Sequence, residues 1–523
     1  MEALHWADQT AQRIIEEKGD KKQYTIAAGI SPSGTIHIGN FREVITHDMI
    51  ARALERLGKK CRYIYSWDDF DPFRKIPKDA PNQEMLKENL RKPLCKVPDP
   101  YGKEESWARH NQVAMEIELP KVGISPEYIY QHKKYLACDY ADGTKTALDK
   151  KDAARKILDS FRTDPLSGDW LPISVYCPKC WKDTTKIISY DGECSVDFSC
   201  ECGNKQSIDL RKDGYYKLPW RVDWAMRWDY ESLDFECAGK EHGTVGGSFD
   251  TGDKICKEIY GHDPPAHFTY NFIRIKGGPG KMSSSVGEVL TLKDLLKVYA
   301  PELARYIFTG TRPQAEFAIS FELEVLQLYD EFDRIERIYF GDEEVKNEKE
   351  LENAKRVYEL SMPFPDKIPK KMPLQPGIRH LTNLVQIFPH DMARVKDYFK
   401  KDVKTKFDEE RLMQRAECAL NWVEKYAPES FKFKVQEKIP SNLKLPSNHK
   451  QALLDLSNAI GKLDEEALVQ AFFDTSKRHG IDKKEFFKAA YKVIIGKEKG
   501  PKLATLINEI GQEKIKKLLM QLK

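Results

Sequence analysis

The chain has 523 residues and a formal net charge of +3, with 85 Lys and Arg against 82 Asp and Glu. That length allows two to four domains with several buried cores, and the near-balanced charge means that any nucleic-acid partner is met by local basic patches and not by a global field. The first residues, MEALHWADQT, hold neither a basic nor an apolar segment of a leader, and no apolar run is long enough to span a bilayer, so a soluble cytoplasmic protein is expected.

Apolar periodicity predicts an amphipathic helix over residues 4–19, with Ile14 and Ile15 on its apolar side. A short apolar strand at 24–30 then runs into ISPSGTIHIGN, residues 30–40. A strand, a Gly-containing turn and a helix N-terminus leave several backbone N–H groups unpaired where the helix dipole favours an anion. That is a phosphate seat. His37 and Asn40, three residues apart, share one face of the first helical turn and can present an imidazole and an amide to a triphosphate. The helix is expected over 39–57, stopped at Gly58. A β-rich run at 61–67 ends in Asp68, Asp69 and Asp71. Strand, helix and strand at this spacing form a βαβ unit, which implies a parallel sheet with its ligand crevice at the strands' C-terminal ends. The three acids fall at that edge, either as a capped, solvated turn or as contacts for a substrate ammonium or ribose.

From residue 73 to 218 the alternation breaks down, and this stretch is read as an insertion between two halves of a nucleotide fold. It contains Pro-rich turns (KPLCKVPDPYG) and helices near 106–118 and 145–161. Inside it lie Cys177 and Cys180, then, after nineteen intervening residues, Cys200, Cys202 and Gly203. Two such pairs on hairpin knuckles can close a tetrahedral thiolate site for structural zinc, with the glycine permitting the tight turn. Cys194 is a spare thiol or a substitute ligand. The total of eleven cysteines, an odd number, suits metal and free thiols better than a disulfide framework.

Beyond the insertion, WRVDWAMRW (220–228) is an aromatic stripe of the kind that more often builds core than a ligand box. DFECAGKEH (234–242) reads as a strand and turn, followed by a helix near 248–260 and a strand at 268–275. That strand leads to KMSSS, where Lys281 sits on a loop with Gly277, Gly278 and Gly280 and can reach phosphates when the loop closes. The nucleotide fold is expected to close near residue 290. Helical patterns follow at 323–340, 347–360, 377–387, 409–426, 448–463 and 482–495, with a Pro- and Lys-rich linker at 363–376. Basic clusters at 396–406 and 497–502 are solvated faces or phosphate contacts.

The two signatures, ISPSGTIHIGN and KMSSS, resemble the paired nucleotide motifs of class I aminoacyl-tRNA synthetases. With WDDFDPFRK, PDPYG, WRVDWAMRW, AGKEH, LYDEFDRIERIYFG and IGKEKGPKLATLI, spread across nearly the whole chain, the sequence resembles the class I lysyl-tRNA synthetases, found mainly in archaea and some bacteria. The resemblance implies an α/β Rossmann-type catalytic domain of the HIGH/KMSKS class with an inserted zinc-ribbon-bearing domain, followed by an all-α C-terminal region. The matching boundaries are 1–72 and 219–290 for the catalytic halves and 73–218 for the insertion, with its ribbon at about 174–208. A stem-contact region is expected at 291–362 and an anticodon-binding domain at 363–523. The implied activity is attachment of L-lysine to tRNA(Lys) through lysyl adenylate, with ATP as substrate, Mg²⁺, and structural Zn²⁺ on Cys177, Cys180, Cys200 and Cys202. The implied partners include neither a membrane nor DNA. ATP would be held by Pro32, Gly34, His37, Gly39, Asn40, Lys281 and Met282, with His37, Asn40, Lys281, Ser283 and Ser284 in catalytic roles.

Glutamyl-tRNA synthetases resemble this chain around the first signature but carry an arginine at the position of Ala27, which holds their substrate's side-chain carboxylate. Ala27, Ala28 and Gly29 leave that cation out, and a lysine ammonium needs acceptors and aromatic faces instead. Gly29, Ser31, Trp220, His242 and Tyr270 match positions that resemble the family's lysine pocket, with Asp69 and Asp223 as further candidates for the charge. Some relatives carry extra Cys and His in the PDPYG region. Here Lys103 and Glu104 stand in their place, leaving Asp99 and His110 with only Cys95 as a nearby thiol, which argues against a second zinc. The rival readings are a glutamyl-type synthetase and, from another class, a small-molecule nucleotidyltransferase sharing the phosphate seat. The first is opposed by Ala27 and the second by the long helical C-terminal region.

Overall fold

The computed structural model describes residues 5–78, 80–276 and 289–523, so Lys281, Met282, Ser283 and Ser284 lie outside the described residues. Helix α1 (Trp6–Lys18) buries Ile14 and leaves Ile15 half-buried. Strand β1 (Gln23–Ile30) leads through the signature turn into α2 (Ile38–Arg56), and the chain leaves α2 through Gly58 at φ +77°. That left-handed value is open to glycine at little cost, and it turns the chain into β2 (Lys60–Trp67). The short helix α3 (Gln83–Glu88) and α4 (Trp107–Glu116) follow, α4 opened by the Ser106 side chain accepting from the Arg109 N–H at 3.1 Å.

Next come β3 (Glu127–Tyr130) and helices α5 (Gln131–Leu136), α6 (Ala141–Asp149) and α7 (Lys151–Asp159). The single charged helix expected at 145–161 is therefore two, broken at Lys150, whose φ of −103° and ψ of 25° leave helical geometry. Strands β4 (Ser174–Val175) and β8 (Tyr216–Lys217) pair antiparallel. Between them β5 (Thr185–Tyr190), β6 (Ser195–Cys200) and β7 (Lys205–Asp209) make an antiparallel ribbon. Helix α8 (Trp220–Tyr230), β9 (Phe235–Gly239), α9 (Ser248–Ile255) and β10 (Ala266–Tyr270) then return to the central sheet.

That sheet is five-stranded and all parallel, in the order β10–β9–β1–β2–β3. The chain runs outward from β1 to β3, returns, and continues on the other side with β9 and β10. The switch point is therefore between β1 and β9, where a doubly wound sheet opens its ligand crevice. The register shows why. β1 pairs with β2 along its whole length, from Gln23 opposite Lys60 to Ile30 opposite Trp67, but with β9 only at Ile26 and Ala27. Past Ala27 the two strands part.

Strand β3 lies inside the stretch read from sequence as an insertion, yet it belongs to this sheet. Only four residues long, EYIY at an edge, it has too short a pattern to stand out from the irregular segment before it. The strand expected at 268–275 is also two. β10 stays in the main sheet, whereas β11 (Ile273–Ile275) pairs with β12 (Phe317–Ile319), the intervening Asn271 N–H being donated to Pro313 O at 2.9 Å.

Helices α10 (Leu292–Leu296), α11 (Pro301–Thr309), α12 (Glu324–Phe340) and α13 (Glu348–Ser361) follow. The last part of the chain is α14 (Ile378–Ile387), α15 (Met392–Tyr398), α16 (Lys406–Lys425), α17 (Ser447–Ala459), α18 (Glu465–Arg478), α19 (Lys483–Ile495), α20 (Leu503–Ile510) and α21 (Gln512–Leu519). The molecule divides into two compact units. One comprises 1–295, 301–319 and 343–368, and the other 296–300, 320–342 and 369–523. In the second, α16 buries Arg411 against Glu336 and Arg415 against Asp333, each at 2.7 Å, and Leu453, Phe472, Phe486, Leu506 and Leu518 share an apolar core.

Candidate active site

The signature turn builds a capped helix start. His37 is the N-cap of α2, and its Nδ1 accepts the Gly39 N–H at 3.0 Å while Asn40 Oδ1 accepts the His37 N–H at 3.0 Å. This reciprocal box fixes both side chains. With Nδ1 accepting, the neutral imidazole carries its proton on Nε2, and with its oxygen engaged, Asn40 has its NH₂ donors left to offer. No acidic residue lies in the first turn of α2 to compete for an anion. Gly39 is required by the cap itself, since a Cβ there would lie 2.8 Å from His37 Cε1. Pro32 and Gly34 are buried in the turn and Ser31 is half-buried.

The β1/β9 crevice contains a pocket with about 640 Å³ of empty space, part of it open to solvent. Ala27, Ala28 and Gly29 of β1 form one wall, Ser66 and Asp68 at the end of β2 another, and Trp220, Trp224 and Arg227 of α8 a third, with Glu43, Glu236 and His242 completing it. Gly29, Trp220 and His242, singled out from the sequence, thus meet in one pocket. Tyr270 reaches it through Glu43, donating its hydroxyl to Oε2 at 2.6 Å, while the Gly29 N–H donates to Oε1 at 3.0 Å. Ser31 lies apart, in a second cavity that shares Trp220 as a wall. Within the aromatic stripe, Trp224 and Trp228 are buried core residues that also line the pocket, whereas Trp220 is 38% exposed and stacks on Trp224 with ring centroids 5.1 Å apart.

Two carboxyls in this pocket, half-buried Glu43 and buried Glu236, were not picked out from the sequence. Burial pushes the Glu43 carboxyl up to about 7 against the opposing hydrogen bonds from Tyr270 and Gly29. Burial pushes Glu236 up to about 8, although its Oε2 accepts both indole N–H groups, Trp224 at 3.0 Å and Trp228 at 2.6 Å. Each had a signal. Glu43 follows His37 and Asn40 at steps of three on the same helix, and Glu236 is an acid inside an apolar strand. Glu236 pairs in register with Ala27, so the small residue at that position borders a carboxyl.

Asp69 and Asp223 are held elsewhere. Asp69 accepts from the His132 N–H at 2.8 Å and ring at 2.6 Å and from Gln112 at 3.0 Å. Asp223, 0% exposed, meets Lys217 at 3.2 Å, Arg227 at 3.3 Å and the Tyr135 hydroxyl. Neither lines the pocket. Arg227, its one lining guanidinium, is engaged by Asp68 at 2.7 Å as well as by Asp223.

In the ribbon the four sulfurs of Cys177, Cys180, Cys200 and Cys202 lie within 4.8 Å of one another, and among the described residues they are the one group of three or more such donors able to hold a metal. Cys177 and Cys202 are 3.7 Å apart and Cys180 and Cys200 3.6 Å. A tetrahedral zinc with Zn–S bonds of about 2.3 Å requires S···S separations of about 3.8 Å, close to the two pairs of this donor set, which suits the ion. Trp181 and Gly203, just past the two pairs, take φ of 61° and 85°, the left-handed values of knuckle turns. Cys194 is buried outside this set.

The segment 4–363 matches the family described as tRNA synthetases class I (K). Over 99% of both chains, the protein is 47% identical to lysine–tRNA ligase of Borreliella burgdorferi. It is 43% identical to that of Treponema pallidum, over 99% of this chain and 98% of the other, and 41% identical to that of Thermococcus kodakarensis, over 99% of both. The chain belongs to the class I lysyl-tRNA synthetase family. The parallel sheet with its switch-point pocket, the helical C-terminal region and the four-cysteine cluster are this synthetase's class I fold. Near PDPYG, this synthetase uses Asp99 as a turn anchor. Its oxygens accept the N–H groups of Tyr101, Lys103 and Glu104 at 2.9–3.1 Å, and His110 Nδ1 lies 3.2 Å away. No helix of the described residues is long and apolar enough to cross a membrane.

Proposed function

We propose that this chain activates L-lysine with ATP and transfers it to the 3′ end of tRNA(Lys) in the cytoplasm. The observation that carries the reading is the switch-point pocket. It holds two carboxyls, half-buried Glu43 and buried Glu236, faces aromatic surface, and offers no uncommitted arginine for an acidic side chain. A lysine ammonium placed between them is paired, whereas a glutamate side chain is repelled. Glu43, fixed by Gly29 and Tyr270, is the acceptor closest in role to the residues named from the sequence, and Trp220 and His242 close the pocket around the amino acid. Because an unpaired buried polar group is costly, a shorter or neutral analogue is rejected more strongly than a missing methylene alone would allow.

The reaction needs alignment and charge neutralisation and no covalent nucleophile. The lysine carboxylate attacks the α-phosphorus, forming the mixed anhydride as pyrophosphate leaves. His37 Nε2–H, the Asn40 amide, the N-terminus of α2 and Lys281 balance the charge that develops, while Ser283 and Ser284 shape the loop and Pro32, Gly34, Gly39 and Met282 bound the nucleotide. Mg²⁺ on the phosphates supplies further neutralisation. The terminal ribose hydroxyl of tRNA then attacks the adenylate carbonyl and AMP leaves. Zinc on the four cysteines is structural, its closed coordination leaving no open position for a reactant. The basic clusters at 396–406 and 497–502 supply phosphate contacts to the tRNA body.

The test is esterification of total tRNA by the purified protein with each amino acid in turn, with ATP and Mg²⁺ present. Charging with lysine alone is expected. Charging with glutamate would overturn the reading of Ala27, Glu43 and Glu236.

A further inference from the structure

A row of charges leads from the switch-point pocket into the protein. Asp68 and Arg227 line the pocket, and behind them stand Asp223, Lys217 and Asp71, so that acid and cation alternate along the row. Arg227 divides its guanidinium between the acids on either side. Nη1 donates to Asp68 Oδ1 at 2.7 Å and to Ser66 Oγ at 3.0 Å, whereas Nη2 meets Asp223 Oδ2 at 3.3 Å. An arginine facing a single carboxylate commonly takes both of its oxygens with two parallel N–H bonds. Here only Oδ1 of Asp68 is engaged, by Arg227 and by the Ser66 hydroxyl at 3.4 Å, and Oδ2 has no partner among the described residues. Asp68 is therefore a pocket-lining carboxylate, 5% exposed, with one oxygen left over. Asp223 is the opposite case. It accepts the Tyr135 hydroxyl on Oδ1 and meets both Lys217 and Arg227 through Oδ2. The two carboxyls titrate accordingly. Burial holds Asp68 above the ordinary carboxylate range with Arg227 opposing it, whereas at Asp223 burial is outweighed by Lys217 and Arg227 and the carboxyl stays below that range. Asp68 is short of positive charge and Asp223 is not.

We propose that Asp223 is a positioning residue for the lysine pocket: by holding Nη2 of Arg227 it keeps the guanidinium from closing over Asp68, and so leaves Oδ2 of Asp68 to one of the two ammonium groups of free lysine. The inference rests on the proposed lysine activation, in which Glu43 and Glu236 serve the other ammonium. Lys217 balances the charge of Asp223 from the far side, supported by Asp71 at 3.0 Å. With a neutral side chain at 223, Nη2 loses its anion and faces the Lys217 ammonium, so it turns onto Asp68 and the fork closes.

The test compares the intact chain with Asp223→Asn, with the double substitution Asp223→Asn and Lys217→Gln, which removes the facing ammonium together with the acid, and with Asp68→Asn. Calorimetry measures the binding of lysine, of 6-aminohexanoate, which keeps only the side-chain ammonium, and of norleucine, which keeps only the α-ammonium; charging assays supply the KM of ATP. All three variants are expected to weaken lysine about tenfold, to weaken one of the two analogues by the same factor, and to leave the other analogue and the KM of ATP unchanged. Equal weakening of both analogues makes Asp223 a residue of the fold alone and overturns the assignment, as does failure of both Asp223 variants to fold. Lysine binding unchanged in the Asp223 variants also overturns it, and so does a pattern in Asp68→Asn that singles out the other analogue. An intact chain that charges no tRNA with lysine overturns the underlying function, and this role with it.

Discussion

Glu43 joins the capped start of α2 to the switch-point pocket, since the helix that carries His37 and Asn40 at its start also carries this carboxyl into the crevice where lysine binding is proposed. Only the ionised carboxylate attracts an ammonium, and the lysine side chain, with an ordinary pKa of about 10.4, stays charged throughout the neutral range. Burial holds the Glu43 carboxyl near 7. The folded-state pKa is raised, so the empty site binds a proton more readily than an exposed carboxylate, and lysine must displace it. The part of lysine affinity that rests on Glu43 is therefore full only well above pH 7 and declines as the pH falls through it, approaching about tenfold per pH unit. Calorimetric titration with lysine between pH 5.5 and 8.5 measures this. Glu43→Gln should weaken lysine by about 2–5 kcal/mol, the usual consequence of removing one partner of a buried charge pair, and abolish the slope below pH 7. Glu236→Gln is the matched control. If it alone removes the slope, the ammonium lies against β9 and not against α2.

At the scale of elements, the four-cysteine ribbon was the most legible part of the chain. Thiolate spacing is set by metal geometry and not by the surrounding fold, so Cys177, Cys180, Cys200 and Cys202 converge as their spacing implied. The helix start at α2 was legible for a similar reason, because the cap chemistry is local to His37, Gly39 and Asn40. Strand β3 was not, since a four-residue edge strand is specified by its pairing with β2 and hardly by its own sequence. Nor was the division of labour along α8. The periodicity that buries Trp224 and Trp228 also carries Trp220, and only the crevice leaves Trp220 open. The ribbon yields a prediction of its own. β5–β7 bury few large side chains besides Val196, Phe198 and Ile208, so an ion on the four cysteines would supply much of their stability. Cys177→Ser should lower bound zinc from about one per chain toward zero and open residues 174–217 to limited proteolysis, whereas Cys194→Ser should do neither. Zinc content by atomic emission, read alongside the cleavage pattern, separates these outcomes.

For the whole molecule, the order of the chain and the order of its compact units differ. The nucleotide fold was expected to close near residue 290, yet the first unit takes back 301–319 and 343–368 after the chain has left it. Arg305 on α11 shows what those returns contribute. Its side chain is 0% exposed and donates to Leu360 O at 2.9 Å, Val122 O at 3.0 Å and Asp48 Oδ2 at 2.6 Å, so one guanidinium ties α2, the turn before β3 and the end of α13. Burial lowers its pKa to about 10, still far above neutrality, and the group remains a cation. Deleting it leaves Asp48 with Arg52 as its remaining cation and two carbonyls without their donor. Arg305→Ala should therefore destabilise the first unit by about 3–5 kcal/mol. Arg415, 0% exposed and paired with Asp333 within the second unit, is the counterpart. Urea unfolding followed by hydrogen exchange should show Arg305→Ala lowering protection along β1 and β2 while α16 and α19 keep theirs, and Arg415→Ala doing the reverse. Uniform loss of protection in both units with either substitution would mean that the chain unfolds as one cooperative body, and that the returning segments serve the whole molecule and not the first unit alone.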